Sequence, residues 1–206
     1  STRLEPALDA VLALSGEKPA LLGYCMGGLF AVALAQRRAK ALRSMALLAT
    51  PWDFHAGRPG QALSLAAVAQ SMEWLMASLG ELPVDVIQAL FASLDPVLAE
   101  RKFSGFAALD PQSDAAQDFV ALEDWLNDGV PLSAPVAREC LSGWYGGNTP
   151  ALGAWRIAGP PVEPAAIDLP SLVVIPAHDR IVPPESAEAL GRGLGRAAVL
   201  RTNVAD

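Results

Sequence analysis

The sequence of 206 residues predicts an α/β fold with a mainly parallel sheet. Four short apolar runs have the length and composition of buried parallel strands. They cover residues 19–24, 45–50, 172–177 and 198–201. Helices predicted over 4–15, 27–39 and 184–194 alternate with these runs. Because a strand–helix–strand order brings two parallel strands side by side, the alternation indicates one layered core.

The most informative segment reads Gly23-Tyr-Cys-Met-Gly-Gly28 and joins the first strand to the next helix. Glycine-x-cysteine-x-glycine at such a turn is typical of the nucleophile elbow of α/β-hydrolases, with cysteine in place of serine. Cys25 is therefore the predicted nucleophile, and the Met26 backbone amide is the predicted oxyanion donor. The alternative is a buried, unreactive cysteine in a glycine-rich turn. The strand before the turn and the helix after it favour the nucleophile.

Two physical expectations accompany this elbow. The positive end of the following helix dipole is expected to favour the thiolate form of Cys25. The turn is also expected to leave no room for side chains at Gly23, Gly27 and Gly28, which explains the glycines there.

Composition excludes several classes of protein. A formal net charge of −7 argues against a nucleic-acid binder. No apolar run has the length needed to span a bilayer, and no signal peptide is visible, so a cytoplasmic location is expected. The two cysteines, Cys25 and Cys140, are then expected to be reduced, with Cys140 packed as a small hydrophobe. The two histidines lack metal-ligand spacing, so neither a metal site nor a cofactor is expected.

The composition changes between residues 53 and 165, where a helical cap insertion is predicted. Helices are predicted at 60–78, 83–93, 114–127 and 134–143. The five tryptophans fall in or at the edge of this stretch. The predicted organisation is thus a first core part at 1–52, the cap at 53–165 and a second core part at 166–206.

The triad acid is predicted at Asp179, in the segment His178-Asp-Arg-Ile-Val-Pro183 just after the strand 172–177. A carboxylate at the end of a late strand is placed to orient a histidine base. The alternative is an ordinary turn. No histidine follows Asp179, and His55 and His178 are expected to make loop or cap contacts. We therefore expect the sequence to be truncated at both ends, with the catalytic histidine just after Asp206.

The chain resembles the polyhydroxyalkanoate synthases, and the resemblance covers roughly residues 18–201. It rests on the elbow, on Asp179-Arg-Ile-Val-Pro183, and on three weaker motifs. These are Trp125-x-x-Asp128, Trp144-Tyr145-x-x-Asn148 and Ile167-Asp-Leu-Pro170. In that family a cysteine is the nucleophile, an aspartate lies in the late loop, and a histidine follows in a Gly-His pair. The chain departs from the family at Arg180, where histidine is frequent, and at Asn127, which is displaced within its motif.

The resemblance implies an acyltransferase that polymerises 3-hydroxyacyl-CoA through a cysteine acyl-enzyme. Cys25 and Asp179 would be catalytic, and Trp125 and Asp128 would bind substrate as part of the lining of the cap, with aromatic core packing as the alternative for Trp125. The partners would be 3-hydroxyacyl-CoA, the growing polyester chain, and a second copy or a second synthase subunit. The protein would be cytoplasmic, at the surface of polyester granules.

Two other functions stay open at this stage. Dienelactone hydrolases share the Gly-Tyr-Cys-x-Gly-Gly elbow, so a cysteine thioesterase or lactone hydrolase is one alternative, although that family lacks the large insertion before the acid. A catalytically inactive partner subunit is the other, and it depends only on the absence of a histidine after Asp179.

Overall fold

A computed structural model describes residues 3–94 and 97–202. The elements follow in chain order, with short 3₁₀ helices at Ala39–Ala41 and Pro164–Ala166 and a π-helix at Glu139–Gly146. They are α1 (Leu4–Ser15), β1 (Ala20–Tyr24), α2 (Met26–Arg38), β2 (Ser44–Leu48), α3 (Pro59–Ser71), α4 (Glu73–Leu79), β3 (Glu81–Leu82), α5 (Val84–Leu94), α6 (Leu98–Ala107), α7 (Asp114–Asn127), β4 (Leu132–Ser133), α8 (Ala134–Arg138), β5 (Ser171–Pro176), α9 (Pro184–Gly193) and β6 (Ala197–Thr202).

The chain divides into two compact units. The first contains Ser1–Ser64 and Gly143–Asp206, and the second contains Leu65–Ser142. The sequence predicted a cap insertion over 53–165. The structure places both flanks of that stretch, 53–64 and 143–165, in the first unit.

The first unit is built on a four-stranded sheet in the order β1-β2-β5-β6, with every neighbouring pair parallel. The predicted parallel sheet is therefore confirmed, with each strand within two residues of its predicted bounds. Met45, Leu47, Val173 and Ile175 alternate along β2 and β5 and are buried on one face. On β1, by contrast, Leu22 is 70% exposed on the opposite face.

Helix α2 lies against β1 and β2 and forms much of the core of the first unit. Its buried residues include Leu29 and Val32, both fully inaccessible to solvent. Two ion pairs link α2 to α1, namely Arg37 with Glu5 and Arg38 with Asp9. Because these side chains are exposed to solvent, the ion pairs add little to stability, and apolar burial dominates the packing.

The second unit is helical, with one small antiparallel pair of strands, β3 and β4. The helix predicted at 60–78 is interrupted at Met72, which separates α3 from α4. Helix α6 was not predicted, because its sequence combines charged residues with Ser104 and Gly105. Its Phe106 ring stacks on Phe119 of α7 with centroids 4.5 Å apart. That tertiary contact stabilises a segment whose own sequence pattern is weak.

Among the described residues, no single helix has the length and apolar composition to cross a bilayer. The bent pair α3 and α4, with an angle of 50° at the break, satisfies those criteria only when the two helices are counted together.

Candidate active site

Cys25 occupies the turn between β1 and α2, as the sequence predicts. Its backbone has φ 49° and ψ −125°, a strained conformation for a residue with a side chain. The Cys25 amide donates to the Leu48 carbonyl oxygen at 2.9 Å, and the Gly28 amide donates to the Cys25 carbonyl oxygen at 2.9 Å. These two bonds hold the strained residue between the end of the sheet and the first turn of α2.

Two of the three elbow glycines are required by close packing. A Cβ atom on Gly23 would lie 2.5 Å from the Gly28 Cα, and one on Gly28 would lie 1.9 Å from the Thr50 Oγ1. Around Gly27, however, no atom lies within 4 Å of the Cβ position. The expectation was therefore wrong for Gly27, because a side chain there would meet open space.

The charge state of Cys25 is set by opposing influences. The thiol is half-buried, and burial raises its pKa above the usual value. The Met26 backbone amide lowers this pKa, and the Asp179 carboxylate raises it further. The expected thiolate stabilisation at the helix end is thus present but weaker than burial. At neutral pH the sulfur is held as a thiol, so a base is needed to activate it.

Asp179 lies just after β5, and its charge reaches the elbow. Its carboxylate raises the pKa of Cys25, and it also contributes to the raised pKa of Tyr24, where burial is the larger cause. The Asp179 Oδ1 accepts bonds from the amides of Ile181 at 2.8 Å and Val182 at 2.9 Å. The carboxylate therefore closes a local turn and also lies within electrostatic range of the predicted nucleophile.

Of the two histidines, His55 makes a contact within the first unit. The His55 Nε2 lies 2.8 Å from the Tyr145 carbonyl oxygen, so this nitrogen carries the proton in the neutral ring. His178 is exposed beside Asp179. The histidine predicted just after Asp206 lies outside the described residues.

One buried polar cluster near the acid loop was missed. The Asn148 Oδ1 accepts from the Phe54 amide at 2.9 Å, and the Asn148 Nδ2 donates to the Asp53 Oδ1 at 2.9 Å. Both partners, Asp53 and Phe54, lie more than 90 residues before Asn148 in the sequence. The Trp-Tyr-x-x-Asn motif was the available signal, but it contains only Asn148 and not its partners Asp53 and Phe54.

The predicted substrate residues Trp125 and Asp128 lie in the second unit, near the end of α7. Trp125 is 69% exposed, and Asp128 is exposed too, with its amide bonded to the Asp124 carbonyl oxygen. The tryptophans divide between the units, because Trp52, Trp144 and Trp155 are buried in the first. Two of the four tryptophans in the predicted insertion, Trp144 and Trp155, therefore lie in the first unit together with Trp52.

The second cysteine is packed, as expected. Cys140 is 7% exposed, and burial raises its pKa to about 12, with the Glu139 charge adding to the effect. Within residues 3–94 and 97–202, no group of three or more His, Cys, Asp or Glu side chains is arranged to hold a metal ion.

A family model described as the alpha/beta hydrolase fold matches residues 4–203. The chain belongs to this family. Known structures of similar fold include a monoacylglycerol lipase from Paleococcus ferrophilus, with a TM-score of 0.53 and 16% identity over 96% of this chain and 63% of that one. Rv0554 from Mycobacterium tuberculosis gives a TM-score of 0.51 and 20% identity over 89% and 56% of the two chains. These likenesses establish the fold.

This α/β-hydrolase is also similar to curated poly(3-hydroxyalkanoate) polymerase subunits named PhaC. The subunit from Thiocystis violacea is 25% identical over 171 residues, which are 82% of this chain and 48% of that protein. The subunit from Haloferax mediterranei is 26% identical over 190 residues, or 90% and 38% of the two proteins. The chain thus spans about half the length, or less, of these curated relatives.

Proposed function

We propose that the chain forms the acyl-transfer core of a polyhydroxyalkanoate synthase-like enzyme, which polymerises 3-hydroxyacyl groups from coenzyme A thioesters. One observation supports this most directly: the half-buried Cys25 sulfur faces the Met26 amide and lies within the field of Asp179. The substrate class is suggested by the relatives, which are named as poly(3-hydroxyalkanoate) polymerase subunits.

The first half of the proposed reaction acylates the cysteine. A base removes the Cys25 proton, and the thiolate attacks the thioester carbonyl carbon. The Met26 amide donates to the oxygen on which negative charge develops. The bond to the coenzyme A sulfur then breaks, and that sulfur takes the proton from the base. Because burial raises the pKa of Cys25, this step depends on the base, which we assign to the histidine predicted just after Asp206.

The second half extends the polyester. The hydroxyl of another 3-hydroxyacyl group loses its proton to the same base and attacks the acyl-cysteine carbonyl. An ester bond forms, the bond to the Cys25 sulfur breaks, and the sulfur takes the proton back. Thioester exchange between two similar thiols is nearly balanced, so cysteine keeps the acyl group reactive for this transfer. The negative charge of Asp179 would orient and stabilise the protonated base.

The proposal is tested by incubating the full-length protein with 3-hydroxybutyryl-CoA. We expect release of coenzyme A, an acyl adduct on the peptide that contains Cys25, and ester-linked oligomers as products. Cys25→Ala should abolish the adduct, and Asp179→Asn should slow its formation by about 10²- to 10⁴-fold. Cys140→Ala, the matched control at the other cysteine, should retain it.

The other outcomes separate the alternatives. Free 3-hydroxybutyrate as the main product would contradict a polymerase and favour the thioesterase. Absence of any adduct and of coenzyme A release would favour the inactive partner subunit. An adduct on Cys140 would overturn the assignment of the nucleophile.

A further inference from the structure

The motif Trp144-Tyr145-x-x-Asn148 has no role in the chemistry above, yet its three residues contact one segment. The ring centroids of Trp144 and Tyr145 lie 5.7 and 4.9 Å from that of Phe54. The Asn148 Oδ1 accepts a bond from the Phe54 amide at 2.9 Å. The motif therefore fixes Phe54 from two sides, by aromatic packing and by a buried hydrogen bond.

Asn148 also organises the residues that surround Phe54. Its Nδ2 donates to the Asp53 Oδ1, which accepts as well from the amides of His55 at 3.0 Å and Ala56 at 3.1 Å. Asn148 is 7% exposed and has a left-handed backbone with φ 48°, which asparagine tolerates better than most residues. A buried side chain with both ends bonded is a specific connection, because loss of either bond leaves a polar group unpaired.

The opposite side of the same segment contacts the loop that carries Asp179. We call residues 52–58 the bridging turn. The Trp52 amide donates to the Ser186 Oγ at 3.1 Å, and the Arg58 Nη1 donates to the Arg180 carbonyl oxygen at 2.7 Å. Gly57 has φ 73°, and a Cβ atom on it would lie 2.7 Å from the Pro183 Cβ. The bridging turn thus bonds to the acid loop at Arg180, approaches it closely at Pro183, and bonds to the first turn of α9 at Ser186.

The acid loop needs such outside contacts because its own bonds are local. The two hydrogen bonds that the Asp179 Oδ1 accepts come from residues 181 and 182, so they shape the turn within residues 179–182. Before Asp179, the Ala177 amide donates to the Thr202 carbonyl oxygen at 2.9 Å, which extends the sheet into the loop. After Asp179, the contacts described above with the bridging turn support the loop.

We propose that Asn148 is a positioning residue, which acts through the bridging turn to hold the Asp179 carboxylate at its distance from Cys25. The positioning role follows from these contacts alone, and only its importance for catalysis rests on the proposed function. The geometry concerns the first unit alone, and all the contacts that carry it lie within that unit.

The test measures the titration of the Cys25 thiol in a Cys140→Ala background, from the pH dependence of its alkylation by iodoacetamide. The groups that act on this thiol are the Met26 amide and the Asp179 carboxylate, and Tyr24 is coupled to both Cys25 and Asp179. Asp179→Asn removes a negative charge, so it should lower the Cys25 pKa and speed alkylation at neutral pH.

Asn148→Gly removes both side-chain bonds but permits the left-handed backbone. It should change alkylation severalfold in the direction of Asp179→Asn, because a released loop carries its charge away from the thiol. In the Asp179→Asn background, Asn148→Gly should have no further effect. Simple loosening of the fold would speed alkylation in both backgrounds, so a shift that persists without Asp179 overturns the proposal.

Matched controls identify the cause. Asn127→Gly also removes two side-chain hydrogen bonds, but in the second unit, and should leave the Cys25 titration unchanged. Gly57→Ala provides a second variant if Asn148→Gly does not fold, and its shift should likewise vanish in the Asp179→Asn background. Its control is Gly16→Ala, where φ is 68° and no atom lies within 4 Å of the Cβ position.

The absence of a shift in both Asn148→Gly and Gly57→Ala would overturn the proposal as well. The titration needs no substrate, so it separates the two hypotheses. Coupling between Asn148 and Asp179 without acyl transfer would retain the positioning role and remove the proposed function. Acyl transfer without coupling between Asn148 and Asp179 would retain the proposed function and remove the positioning role.

Discussion

Each compact unit carries one cysteine, and the two thiols have different surroundings. At Cys25 the backbone is strained, the sulfur is half-buried, and the Met26 amide opposes the rise in pKa that burial causes. At Cys140, on the π-helix, burial and the Glu139 charge act in the same direction and raise the pKa to about 12. Burial raises the pKa of both thiols, and the backbone and charges around each one decide whether that rise is opposed or reinforced.

The comparison extends to the other predicted site residues. In the first unit, Asp179 is bonded within its loop and acts electrostatically on Cys25. In the second unit, Trp125 and Asp128 are exposed near the end of a helix. Residues that the fold holds in a defined geometry support a mechanism, whereas the exposed pair needs a functional test.

The largest expected effect concerns the elbow itself. Gly28→Ala would place a Cβ atom 1.9 Å from the Thr50 Oγ1, in a buried contact between α2 and the end of β2. We expect a loss of about 1–3 kcal/mol in the free energy of unfolding, and a loss of acyl-transfer activity as the turn deforms. Chemical denaturation and activity assays would measure both.

Gly27→Ala is the matched control one residue away. It meets no atom within 4 Å, and it replaces a glycine in the first turn of a helix. Stability should stay the same or rise by up to about 1 kcal/mol. Equal losses in the two variants would contradict the close packing described at the elbow.

The elbow and the sheet could be predicted from sequence because their signals are local. Each signal, a run of five or six apolar residues or a cysteine flanked by glycines, is contained in a short segment of the chain. Gly27 matches the same motif as Gly28, yet only the contact of Gly28 with Thr50 distinguishes them. That contact joins segments that the pattern treats separately, so sequence alone could not rank the two glycines.

Other features depend on contacts between distant residues. The bond between Asn148 and Asp53 follows from how the fold brings together two loops, which no local pattern encodes. The π-helix after α8 replaced the end of a predicted α-helix, because periodicity does not separate the two forms over eight residues. The raised pKa of Cys25 required the burial of its sulfur, which the motif does not specify.

Alkaline pH is also expected to change stability. The folded state holds Cys140 with a pKa of about 12, whereas an unfolded thiol has a pKa of about 8.5. Above that lower value the unfolded state loses its proton first, so the free energy of unfolding should fall as the pH rises towards 12. Cys140→Ala should flatten part of this decline, measured by denaturation at several alkaline pH values. An unchanged slope would contradict the buried, protonated thiol.

The smallest structural effect is expected at the exposed tryptophans. Trp125 and Trp74 are each 69% exposed, so Trp125→Ala and Trp74→Ala should each change stability by less than about 0.5 kcal/mol. If Trp125 contacts substrate, its replacement should raise KM for 3-hydroxybutyryl-CoA severalfold, while Trp74→Ala leaves KM unchanged. The same change in both variants would remove Trp125 from the substrate site.

The central claim is that Cys25, and not Cys140, presents the reactive sulfur. The most direct measurement is alkylation of the native protein by iodoacetamide at pH 8, with the rate at each cysteine followed by peptide mass spectrometry. We predict faster modification of Cys25 than of Cys140, because burial and the Glu139 charge raise the pKa of Cys140 to about 12, whereas the Met26 amide opposes the rise in pKa at Cys25. Faster modification of Cys140, or protection of Cys25 until the protein is unfolded, would contradict the account.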